Sequence, residues 1–172
     1  MELFGERGYE QTTVAAISER AGLTERTFFR HFADKREVLF GLGEPLRLLL
    51  AETVAAAPEG APLIDVVAAA LEAVAAHLQD RREHAARRQA VIDANPELQE
   101  RDLVKMASLA AMLADALRER GIPDLQARLA AETGMAVFKI AFRRWLAEPG
   151  PQDLPALIAE ALAQYKALAA GR

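Results

Sequence analysis

Apolar residues recur along this chain at spacings of three and four, and no stretch alternates as a half-buried strand would. The pattern predicts an all-α protein. Leu3 and Phe4 belong to the end of a first helix, Met1 to Arg7, that stops at Gly8. Val14, Ile17 and Ala21 then share one face of a helix of about nine residues. Thr13 can cap its start, and Gly22 fits the left-handed position just past its end. A further short helix, Glu25 to Phe32, follows Thr24, whose hydroxyl is placed to accept from an orphan amide of the first turn.

That last segment contradicts its own propensities. Thr27, Phe28 and Phe29 favour strand locally, so packing has to decide. As a helix, Phe28 and Phe32 sit four apart and dock on Ile17, Ala21 and Leu23, leaving Arg26, Thr27, Arg30 and His31 facing outward. A guanidinium, a hydroxyl and an imidazole on an outward helix suit groove edges and phosphates.

Asp34 and Glu37 form an Asp-x-x-Glu capping box for the next helix, whose buried side is Val38, Leu39 and Leu42. Gly41, Gly43 and Pro45 break the pattern and predict a hinge between a reading head, residues 1–43, and a body, residues 44–172. In the body, Leu46 to Ala57 reads as a helix closed by Pro58, Gly60 and Pro62. Leu63, Val67, Ala70, Val74 and His77 follow one face of the next, which puts His77 at the edge of an apolar stripe. Asp80 to Asp93 carries Arg81, Arg82, Arg87 and Arg88, with Arg88 on the same side as Ala85 and Ile92. Asn95 and Pro96 open a long helix that Gly121 stops. After Pro123 a second long helix runs to about Ala147, and its stretch Met135 to Leu146 is apolar on nearly all sides, more than one core-facing stripe requires. A last helix spans Asp153 to Ala169.

Composition narrows the chemistry. With 172 residues, about half of them hydrophobic, the chain can build a real core. The apolar run from Leu63 to Leu78 is interrupted by Asp65 and Glu72, so no membrane span is expected. Without cysteine or a secretory signal at the start, the expected place is the cytoplasm. Neither cofactor nor metal is expected. His31, His77 and His84 do not stand in zinc-ligand spacing, and no glycine-rich phosphate loop or Gly-x-Ser-x-Gly elbow occurs. The formal net charge of −4 does not advertise a nucleic-acid binder. A local basic edge made by Arg26, Arg30, His31, Lys35 and Arg36 can still bind phosphates.

The run from Leu3 to Leu39, LFGERGYEQTTVAAISERAGLTERTFFRHFADKREVL, resembles the DNA-binding domain of TetR-family transcriptional regulators almost position by position. The resemblance implies a helix-turn-helix head whose first helix begins further upstream, so only its end is present here. It also implies a homodimer held through a four-helix bundle, a palindromic operator in double-stranded DNA, and release of that operator when a small molecule fills the body. Carried over position by position, Thr24, Glu25, Arg26, Thr27, Arg30 and His31 face the groove, with Glu25, Arg26 and Thr27 nearest the base edges. Thr13, His31 and Lys35 match phosphate contacts. Phe29 replaces the usual tyrosine and lacks its hydroxyl.

The body from Pro96 onward resembles actinobacterial regulators related to the mycofactocin regulator, some of which sense acyl-CoA. An elongated apolar effector with an anionic end is expected among the helices that hold His77, Arg88 and Phe138, because alanine-rich helices leave room between them. The expected function is therefore a repressor and not an enzyme. Two other classes stay open on the sequence: a ligand-binding helical dimer that no longer reads DNA, and a small helical-bundle enzyme.

Overall fold

The structure, a computed structural model, describes residues 1–41 and 43–171, and the side chains at 43 and 44 lie outside what it describes. Among the described residues the chain is helical and carries no strand. The helices are α1 (Glu2–Arg7), α2 (Val14–Arg20), α3 (Glu25–His31), α4 (Glu37–Phe40), α5 (Gly43–Ala56), α6 (Leu63–Gln79), α7 (Arg82–Asp93), α8 (Pro96–Glu119), α9 (Asp124–Ala147) and α10 (Leu154–Ala169). They fall into two compact units, Met1–Leu42 with Glu83–Lys105, and Gly43–Arg82 with Met106–Arg172. The sequence pattern had assigned all of residues 44–172 to one body, whereas α7 and the first turns of α8 group with the N-terminal unit.

In the first unit, Phe4, Tyr9, Leu39, Ile92 and Leu98 form a buried cluster, with Met1, Ile17, Val38, Phe40 and Val91 packed against it. Two of those five buried residues, Ile92 and Leu98, are supplied by α7 and α8, so the four short N-terminal helices do not bury their apolar faces by themselves. Thr12 is fully buried, and its hydroxyl bridges the carbonyls of Leu3 and Gly8 at 3.1 and 2.7 Å. Those bonds pin the end of α1, whose last turn would otherwise leave carbonyls unsatisfied. Arg20 ties α2 to α1 through Glu2 and Glu6 at 3.2 and 3.0 Å, and its hydrogen bond holds the Glu6 carboxyl below the usual range. These groups are exposed and screened by salt, so they orient more than they stabilise.

Several local expectations change form. The Asn95 side-chain amide donates to the Val91 carbonyl at 2.6 Å and closes α7, while its backbone carbonyl accepts from the Leu98 and Gln99 amides at 3.0 and 3.1 Å and opens α8. Leu23 is 50% exposed and Ala21 is exposed, so neither is closed into the core, whereas Phe28 is buried. Gly43 and Pro45 do not interrupt a helix but lie in the first turn of α5, where proline costs nothing because the first amides have no helical partner. Leu42, the centre of the expected hinge and an expected buried residue, lies outside the described residues.

The second unit is built around α6, whose Val66, Val67, Ala70, Leu71, Val74 and Ala75 are all buried. Trp145 of α9 is fully buried, with its indole N–H directed at the Gln152 carbonyl at 3.3 Å. Arg82 donates to the carbonyls of Trp145 and Gly150, each at 2.7 Å, and to that of Glu148, and so closes the end of α9. The stretch Met135 to Leu146 was expected to need a partner on every side. Its own chain covers Met135, Val137, Phe138, Ala141 and Trp145 but leaves Ile140 exposed, in line with Leu125 and Leu129 earlier on α9.

Gly134 explains why α9 is covered so well. A Cβ at this position would stand 2.6 Å from a Val67 methyl and 3.6 Å from Leu113, so the absence of a side chain lets the neighbouring helices approach. We expect Gly134→Leu to destabilise the protein by about 3 kcal/mol through overpacking, measured by chemical denaturation. Gly134→Leu combined with Val67→Ala should recover part of that loss. An undiminished melting midpoint in the single variant would show that the packing here is loose.

Candidate nucleic-acid interface

The head's two-helix turn is built from local signals. The Thr13 hydroxyl accepts from the Ala16 amide at 3.1 Å and caps α2, and the Thr24 hydroxyl accepts from the Thr27 amide at 3.2 Å and caps α3. Between them Gly22 adopts φ +67°, the left-handed position that closes α2. Phe28 is buried and faces inward, its ring 5.2 Å from that of Phe32. Glu25, Arg26, Phe29 and Arg30 of α3 are all exposed. With residue 28 facing inward, the helical period turns 26 and 30 to the opposite side and 29 to the flank, while 25, three positions before Phe28, stands at the edge of the inward face.

Each expected contact residue has a definite setting. Arg26 extends from the exposed arc. Arg30 lies beside His31, its Nε 3.4 Å from the imidazole Nε2. Thr24 and Thr27 share a hydroxyl–hydroxyl hydrogen bond at 3.0 Å. Asp34 accepts from the amides of Arg36 and Glu37, while Glu37 reaches back to the Ala33 amide at 2.7 Å, a variant of the expected reciprocal cap. The Arg36 side chain bonds the same carboxylate and holds its pKa below the usual range.

Lys35 is the surprise. Its ammonium donates to the Tyr9 carbonyl at 2.8 Å and the Glu10 carbonyl at 3.3 Å, and it stands 4.2 Å from the centre of the Tyr9 ring. A lysine expected only to meet phosphate therefore also braces the loop after α1. We expect Lys35→Ala to lower the stability of the protein by about 2 kcal/mol, since hydrogen bonds from a charged donor are worth that much. Arg26→Ala, at an exposed site, should leave stability unchanged. Equal melting midpoints for the two variants would remove the bracing role.

A second cluster in this unit escaped the sequence reading. Arg88 donates from Nε to the Leu39 carbonyl at 2.6 Å, pairs with Asp102 at 2.9 Å, and lies 4.9 Å from the centre of the Phe40 ring. Lys105 stands 5.9 Å from the same ring, and burial, followed by the Arg88 charge, lowers its pKa to about 8. The signal that could have pointed there was the spacing that puts Asp102 between Leu98 and Met106 on one face of α8.

The chain's two ends match different families. Residues 1–42 match the family described as bacterial regulatory proteins, tetR family, and residues 61–170, more than half of the chain, match the MftR C-terminal domain. The chain belongs to the TetR family. Its MftR-type part begins beyond α5 and ends just past α10. Over 38 residues it is 58% identical to the HTH-type transcriptional regulator TcmR of Streptomyces glaucescens, a match to 22% of this chain and 17% of that protein. The match thus spans about a sixth of the curated relative.

Solved TetR-fold structures resemble the chain along nearly its whole length. Thermus thermophilus FadR, a TetR-family repressor solved with lauroyl-CoA, has a TM-score of 0.59 at 22% identity, covering 95% of this chain and 87% of that one. The fatty acid degradation regulator FadR of Bacillus halodurans has a TM-score of 0.61 at 17% identity, covering 94% and 88%. At such identities the likeness shows the fold.

The three residues expected around an effector have other surroundings. His77 is exposed in the last turn of α6, and Phe138 is buried, its ring stacked on that of Phe142 at 5.5 Å. Arg88 is committed to Asp102 and Leu39 within the first unit. Among the described residues no cluster of three metal-ligating side chains occurs, and no helix is long and apolar enough to cross a membrane.

Proposed function

We propose that this chain is a ligand-responsive transcriptional repressor that binds a palindromic operator in double-stranded DNA and leaves it when a small apolar or amphipathic effector occupies the body. The observation that carries the reading is α3 itself: a capped helix, closed behind by Phe28, that presents Arg26, Phe29 and Arg30 to solvent in a TetR-type head. Arg26 is suited to pair with guanine and Glu25 to accept from a cytosine amino group, while Thr13, Thr24, Thr27 and His31 carry groups suited to phosphates and neighbouring base edges. A sum that is acidic does not oppose this, because binding depends on the cations within a Debye length of the phosphates.

A homodimer accompanies the reading. Leu125, Leu129 and Ile140 are 71%, 61% and 57% exposed and share one stripe of α9, with Ala136 between them. A groove of about 380 Å³ floored by Ala107, Ala110, Ala111 and Ala114 runs beside it, edged by Arg118, Arg128, Asp124 and Glu132. Small residues facing leucines are what knobs-into-holes packing between two copies uses.

Lauroyl-CoA is bound by the Thermus regulator, so acyl-CoAs are the first effectors to test. The test is fluorescence anisotropy on a duplex from the region upstream of the gene. Binding that weakens steeply with salt and is reversed by an acyl-CoA supports the reading. Binding absent at low salt, with the protein folded, would favour a dimer that reads no DNA.

A further inference from the structure

We propose that Phe29 reads the 5-methyl group of a thymine in the major groove, which makes it a specificity-determining residue of the operator. The inference rests on the DNA-binding reading above and deepens it. Phe29 is 54% exposed, and on the helical wheel it falls between Glu25 and Arg26, inside the arc that would face the groove. Exposure alone decides nothing, because single apolar side chains on a surface are common. The decisive feature is that the ring is held out. It meets the Phe28 ring edge-on, 5.4 Å away at 86°, and Phe28 is only 4% exposed and braced in turn by Phe32. The buried ring supports Phe29 from behind and holds its exposed edge outward.

Chemistry then selects the partner. Phe29 has neither donor nor acceptor, so it gains nothing from a phosphate oxygen or from the polar edges of guanine, adenine and cytosine. Along the major groove the apolar feature is the thymine methyl, and phenylalanine is among the side chains that contact it. Arg26 and Arg30 lie beside the ring, both on the side away from Glu25, and are suited to guanine or phosphate. Their placement puts the methyl contact beside a charge-assisted one, where water is excluded and apolar contact counts most.

The experiment uses the full chain and a duplex enriched from a random library by its own binding. Each thymine of the half-site is replaced in turn by deoxyuridine, which removes the methyl and leaves the hydrogen-bonding edge intact. At one position we expect affinity to fall about fourfold for one half-site and about fifteenfold for both, the amount that burying one methyl supplies. In Phe29→Ala the same replacement should have no effect, which isolates the pair as a double-mutant cycle does. Should Phe29→Ala melt below the wild type, Phe29→Gln serves the same cycle. If no thymine is sensitive, or if sensitivity persists without the ring, the proposal is overturned while the DNA-binding reading stands. If no duplex is enriched at all, the DNA-binding reading falls and takes this one with it.

Discussion

Replacing Arg26 and Arg30 together by alanine should lower affinity for the preferred duplex by at least about a hundredfold, with no change in the melting curve. Both side chains are exposed, and neither closes the core of the head, so the fold has no stake in them. A bidentate base contact is worth about 1–3 kcal/mol, and a lost phosphate contact weakens all sequences and flattens the salt slope by about one unit. The double variant should therefore bind preferred and scrambled duplexes with nearly equal, weak affinity. Anisotropy titrations at several salt concentrations measure both parts. An unchanged preference would show that this arc of α3 faces away from DNA.

Asp102→Ala should be the most destabilising single change in the first unit, at about 3 kcal/mol, measured by chemical denaturation. Removing one partner of a largely buried ion pair leaves the other charge uncompensated, which costs more than the pair ever contributed. Side-chain exposures of 14% for Arg88 and 20% for Asp102 place this pair close to that regime. Lys105 sharpens the effect, because its ammonium is already disfavoured by burial and by Arg88, and Asp102 is the one charge that favours it.

The pH dependence follows from the same residues. With a folded pKa of about 8 against an ordinary value of 10.5, Lys105 binds its proton less well in the folded protein. The unfolded chain therefore holds more protons between those values, and stability rises with pH across that window. Below pH 8 the full burden of the buried charge is present. Lys105→Met should stabilise the protein at pH 7, with the advantage fading as pH approaches 10.5. Denaturant midpoints between pH 6 and 10.5 for wild type and variant measure this. A variant that gains nothing at pH 7 would place the ammonium in water.

What the sequence shows about this molecule divides along contact range. Caps and stops read directly, because Thr13, Thr24, Gly8, Gly22 and Gly121 act on backbone within a few residues. Phe28 also read correctly as inward and Arg26 as outward, since helical period alone fixes them. Arg88 and Lys35 did not, because their partners lie far along the chain: Leu39 and Asp102 for one, Tyr9 and Glu10 for the other. A lysine or arginine on a helix looks solvated until a distant carbonyl is known to end beside it. The cover over the inward face of α9 was hidden for a similar reason: Gly134 offers no apolar signal, yet it admits Val67 and Leu113. The resemblance to TetR regulators supplied the role of the head, which periodicity could only describe as a helix, a turn and a helix.

The most direct measurement of the central claim is selection from random duplexes by the full chain, followed by sequencing of what it retains. The account predicts an inverted repeat whose half-site centres lie about 34–36 Å, or a multiple of that, apart, as two heads related by a two-fold axis require. Arg26→Ala should retain the repeat with relaxed preference at one base pair of each half-site. Retention of no common sequence, at a salt concentration low enough for phosphate contacts to hold, would contradict it.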